Sequence, residues 1–63
     1  MLKSQLVDLD YQEILIDNPE KHDAILMVVE AKEVWLPYSL VEIDRANKEV
    51  TMPEWLAIEK ELV

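Results

Sequence analysis

Carboxylates are the one class of chemistry-bearing side chain that this sequence supplies in number. Fourteen Asp and Glu stand against six Lys and Arg in 63 residues, a formal charge of −8. A pair such as Asp8 and Asp10 could bind Mg²⁺ or do acid–base work. Magnesium sites usually add substrate phosphates or a dedicated loop, however, and neither is recognisable here. The chain has no Cys and no Gly. It therefore lacks disulfides, thiolate metal ligands and the Gly-rich loops that cradle phosphates. Ser4 or Ser39 with His22 and an Asp could formally make a nucleophile–base–acid set. Nothing in their spacing supports it, and such sets normally sit on larger scaffolds. His22 lies in the most polar stretch and reads as a solvated loop residue. No catalytic residue, cofactor or metal is expected.

Surface charge is then the main signal. Between residues 8 and 30 there are seven acids and, among the bases, Lys21 alone. On a strand, Asp8 and Asp10 would point to one face about 6.6–6.8 Å apart. Rows of carboxylates at such spacing can imitate the phosphates of nucleic acid and compete for a Lys/Arg channel, gaining association rate by steering. The plainer reading is solubility: small domains often carry a net charge of magnitude about 2–8, and this chain is at the top of that range. The acidity argues against direct contact with nucleic acid or anionic membrane, and for a basic protein partner.

The elements that must position these acids can be read from periodicity. Residues 6–12 alternate apolar and polar, which suits a half-buried strand, and Ile14, Leu15 and Ile16 could extend it through a bulge. A helical stripe through Leu2, Leu6, Leu9 and Glu13 is the rival. Residues 17–23 are a polar connection opened by Asn18-Pro19. Residues 24–29 are apolar throughout and suit a strand buried on both faces in the middle of a sheet. Residues 30–33 form a short break, and Val34-Trp35-Leu36 a second strand that Pro37 ends or places at an edge. Residues 40–44 alternate again. Residues 45–48 make a turn, with Asn47 the expected site of positive φ. Residues 49–51 return as the partner strand. Thr51 and Glu54 fit a capping box around Pro53, opening a helix with Met52, Trp55, Ile58 and Leu62 on one face. Glu59 falls in that stripe without explanation. Trp35 and Trp55 could be binding hot spots, but in a chain without Phe they read as the large pieces of the core.

Together these segments predict one compact α+β domain over residues 1–63. It would have a small antiparallel sheet of three to five strands and a C-terminal helix packed on one face. A core of this size supplies only about 3–5 kcal/mol. The first seven residues meet Asp8 too soon for a signal-peptide apolar region, and no run approaches the roughly 20 residues that span a bilayer. A soluble, cytoplasmic protein is expected.

Val34-Trp35-Leu36-Pro37-Tyr38-Ser39, followed by Met52-Pro53-Glu54-Trp55-Leu56-Ala57, resembles a pattern in small phage and prophage proteins. The likeness covers about residues 24–62 and implies a scaffold rather than an activity. In size, charge and cofactor-free composition the chain also resembles anti-CRISPR proteins that act as DNA mimics on type I surveillance complexes. That resemblance implies stoichiometric inhibition without catalysis in the cytoplasm of a bacterial host. The candidate partner contacts are then Asp8, Asp10, Glu13, Asp17, Glu20, Asp23, Glu30 and Glu33, with Glu42 and Asp44 as further candidates. The competing expectation is a small structural or adaptor module that docks through apolar surface, as a monomer or a homodimer.

Overall fold

The computed structural model describes residues 5–63. In chain order it contains β1 (Leu6–Ile16), β2 (Ala24–Val29), β3 (Lys32–Pro37), a 3-10 helix (Tyr38–Leu40), β4 (Glu42–Asp44), β5 (Glu49–Pro53) and α1 (Glu54–Glu59). The five strands form one antiparallel sheet in the order β3-β2-β1-β5-β4. The α+β class expected from the sequence is the one observed.

β1 is the central strand and serves two neighbours in turn. Its first half pairs with β5, from Leu6 opposite Pro53 to Asp10 opposite Glu49. Its second half pairs with β2, with register shifts after Tyr11 and after Ile14. Such bulges bend a strand and raise its twist. The edge strands β3 and β4 are joined only by the 3-10 helix and Val41. Four strand spacings would hold the edges of a flat sheet roughly 19 Å apart, whereas a 3-10 turn advances only about 2 Å per residue. The sheet must therefore curl until its edges approach. Its concave face buries Ile25, Met27 and Val29 of β2, Leu36 of β3, and Val50 and Met52 of β5. Leu56, Ala57 and Leu62 complete the core from the C-terminal segment.

Several local expectations are corrected. β2 is interior to the sheet, but its burial alternates: Ile25, Met27 and Val29 are inside, while Ala24, Leu26 and Val28 are half-buried on the convex face, which no second layer covers. The β2–β3 turn is two residues, Glu30 and Ala31, at φ 54° and 63°. The Ala31 N–H donates to Oε1 of Gln12, a residue within the first bulge, at 3.1 Å. In the β4–β5 turn Lys48 takes positive φ (57°), not Asn47. Asn47 instead gives both its N–H groups to Asp44.

The helix differs most. Thr51 is not its cap; it lies in β5 and its hydroxyl donates to Asp8. Strand pairing has captured Thr51, the expected N-cap, while Glu54 opens α1. The N-cap is Pro53, without a side-chain bond, and α1 is only six residues long. A helix this short buries a narrow strip, Leu56 and Ala57, and leaves Trp55 and Ile58 outside. Met52 faces the core with a strand's period of two, so the stripe that joined it to Trp55 does not exist. Trp35 and Trp55 are 40% and 48% exposed rather than core. The helix ends in a Schellman arrangement, with Leu62 N–H on Ala57 C=O and Glu61 N–H on Ile58 C=O. Glu61 holds the left-handed position at φ 60°.

Candidate functional site

Alternation along three paired strands builds a carboxylate surface. In β1, Val7 and Leu9 turn toward the core and Asp8 and Asp10 away from it. In β5, Val50 and Met52 turn in, and Glu49 and Thr51 out. In β4, Ile43 turns in between Glu42 and Asp44. Register aligns these outward residues in two rows. Asp8 lies opposite Thr51, which lies opposite Glu42; Asp10 lies opposite Glu49, which lies opposite Asp44. Cross-strand neighbours stand about 4.5–5.5 Å apart at Cβ, and the rows about 6.6–6.8 Å apart along the strand. Five carboxylates and one hydroxyl thus occupy a two-by-three grid on the convex face.

The grid is short of positive charge. The two ion pairs among the described residues, Arg45 with Asp17 and Lys32 with Glu61, lie outside it. Thr51 donates its hydroxyl to Asp8. Asp44 accepts the Asn47 side-chain N–H at 2.9 Å and its backbone N–H at 3.1 Å. Those donors, the side chain first, hold the Asp44 carboxyl below the usual carboxylate range. Like charges directly opposite each other destabilise a sheet, and the Asp10–Glu49–Asp44 row is three carboxylates long. The side chains point outward without converging: among the described residues no three ligand-type groups are placed to hold a metal ion.

The eight acids singled out from the sequence do not share one surface. Asp8 and Asp10 are in the grid, joined by Glu42 and Asp44. Asp17 serves the fold: it accepts the Tyr38 hydroxyl at 2.6 Å and Arg45 Nη2 at 2.6 Å. It ties the end of β1 to the 3-10 helix and to the β4–β5 turn. The Tyr38 hydrogen bond, then that of Arg45, lowers its pKa. Glu13 and Glu33 flank Val28 on the convex face of the other half-sheet. Glu20 and Asp23 lie in the β1–β2 loop, and Glu30 in the β2–β3 turn.

Glu49, the centre of the all-carboxylate row, is not among the acids singled out from the sequence. Its signal was the alternation of residues 49–52, which matches that of residues 7–10, and a four-residue turn that sets it opposite Asp44. His22, Asp23 and Ser39 do line one groove, but no hydrogen bond links their side chains. The His22 ring instead packs against Trp35, centroids 5.5 Å apart. Ser4 lies outside the described residues. No helix among them is long and apolar enough to cross a membrane. Compared with known families, curated proteins and solved structures, the chain matches none.

Proposed function

We propose that this protein is a stoichiometric inhibitor that occupies the basic nucleic-acid path of a larger complex, using the convex face of β1, β5 and β4 as a phosphate mimic. The type I CRISPR surveillance complex of a bacterial cell is the candidate target. The observation that carries this reading is the Asp10–Glu49–Asp44 row. A surface charged only for solubility gains nothing by aligning three carboxylates directly across strands, where repulsion costs stability. Sites that break a local rule at a cost in stability are where function is expected. Lys and Arg lining a nucleic-acid channel would be met by closely spaced negative charge on a rigid sheet, with fast, salt-dependent association.

The test is competition. A type I surveillance complex is incubated with this protein and then offered labelled target duplex at low and high salt. Loss of duplex binding that eases as salt rises supports the reading. Glu49→Lys should abolish the effect, because it places a cation at the centre of the row. Unimpaired duplex binding at low salt with the unaltered protein removes this target. Equal inhibition by Glu49→Lys removes this face.

A second reading, docking through apolar surface as an adaptor or homodimer, is favoured by Trp55, Ile58 and Leu6, which are 48%, 57% and 68% exposed. It predicts a concentration-dependent mass by sedimentation, insensitive to salt and lost in Ile58→Lys. A single species at monomer mass across the concentration range sinks the homodimer.

A further inference from the structure

On the half-sheet away from the carboxylate grid, the convex face is apolar and leads into a groove. Ile16 lies opposite Leu26, and Leu26 opposite Trp35. All three face outward, with Ile16 37% and Trp35 40% exposed. Trp35 and Pro37, two apart on β3, share that face. The groove beyond has a volume of about 460 Å³ and is lined by Pro19, His22, Asp23, Pro37, Tyr38 and Ser39. That volume is within the range of ligand sites.

The walls are pinned. Tyr38 N–H donates to the Asp23 carbonyl at 3.0 Å, and the Asn18 carbonyl accepts N–H groups from Lys21 and His22. The Tyr38 hydroxyl is held by Asp17. A site held in shape before binding loses less entropy when it is filled.

The lining selects its occupant. Pro19 and Pro37 have no N–H, and the Tyr38 N–H is already used, so the groove has few backbone donors for an added β-strand. A polyproline II segment needs none, and its rings pack against aromatic and proline faces. Its residues i and i+3 lie on one side about 9 Å apart. One proline can enter the groove while the next covers Trp35. Acids rim the path, Asp23 at the groove and Glu33 two residues from Trp35 on the same face of β3, so a Lys or Arg beside the prolines would be favoured. We infer that this groove and the Trp35 face bind an extended, proline-containing basic segment of a partner protein. This site stands apart from the acidic grid and does not depend on it.

The experiment is an amide NMR titration of the full chain. The probe is a short synthetic peptide with two prolines three residues apart and a flanking arginine. Controls replace both prolines by alanine, or the arginine by glutamate. Saturable shifts confined to residues 16–26 and 33–39 are expected, with both controls binding more weakly. Trp35→Thr, which keeps a strand-favouring residue, should weaken binding about tenfold or more. Asp23→Lys should weaken it as well while leaving the fold intact, since that side chain is exposed and only its carbonyl is used. Asp23→Lys also decides the matter if Trp35→Thr fails to fold. Glu49→Lys should change nothing. Absence of shifts at high peptide concentration, or equal binding of the proline-free control, overturns the proposal. So does a response that maps to the carboxylate grid and disappears in Glu49→Lys, which would be charge attraction alone.

Discussion

Asp17 directs its carboxylate to two other elements of its own chain, Tyr38 and Arg45. Its pKa is lowered in the fold. A depressed carboxyl contributes stability above its unfolded pKa, about 3.9, and that contribution is lost as pH falls through the folded value. Asp17→Asn should therefore unfold at lower urea near neutrality, by about 1 kcal/mol after allowing for solvent access. The gap between variant and parent should close toward pH 2–3. A gap that stays constant from pH 7 to 2 would mean the loss is one of packing, not charge.

The left-handed positions make a second residue-scale prediction. Ala31 and Glu61 hold φ of 63° and 60° in a chain without Gly. A β-carbon there costs about 1–2 kcal/mol, of which roughly 0.5–1 is offset because Gly orders at greater entropic cost. Ala31→Gly and Glu61→Gly should each raise Tm by about 2–6 °C in a thermal melt. The Gln12 bond to residue 31 uses the backbone N–H and survives the change. The sequence hid these sites because Gly, the usual marker of positive φ, is missing, and Asn47, the expected site in its turn, is held by Asp44.

At the scale of elements, the legible parts were those with a local cause. Alternation in residues 6–10 reflects which side chains meet a single buried face, and the sequence states it directly. The apolar run of β2 marks a strand inside the sheet but not its burial, since only Ile25, Met27 and Val29 are inside. What needed long-range pairing was not legible. Thr51 reads locally as a helix cap, yet Asp8, 43 positions away, takes its hydroxyl. Trp55 reads locally as the core of a three-turn helix, yet α1 stops after Glu59. Glu49 becomes central only when β1 and β4 flank it. From that register follows a test with two signs. Glu49→Lys converts the Asp10–Glu49–Asp44 row into an alternating one, and cross-strand pairs are each worth about 0.2–1 kcal/mol. The substitution should stabilise the protein by about 1 kcal/mol in urea unfolding while it destroys inhibition. Loss of stability together with inhibition would make Glu49 structural and remove the reason for reading the row as a binding surface.

For the whole molecule, the principal extents of 34 × 23 × 21 Å set the scale on which a charge of −8 acts. At about 0.01 M salt the Debye length is about 30 Å, so nearly every carboxylate feels the others. At about 1 M it is about 3 Å, shorter than the spacing within the grid, and the repulsion is screened. Net self-repulsion disfavours the compact state. The urea midpoint of the free protein should therefore rise as NaCl is added, and rise less in Glu49→Lys, from which two charge units of repulsion are gone. Chloride is the right salt, because sulfate strengthens apolar burial by a separate route. Association with a basic channel should respond in the opposite sense and weaken with the same salt. On the proposed reading, folding and binding draw on one set of carboxylates with opposite salt dependence. A midpoint indifferent to NaCl would mean that the acids are too well hydrated to feel one another. The cost on which the proposed reading of the Asp10–Glu49–Asp44 row rests would then be absent, and solubility would suffice to explain the charge.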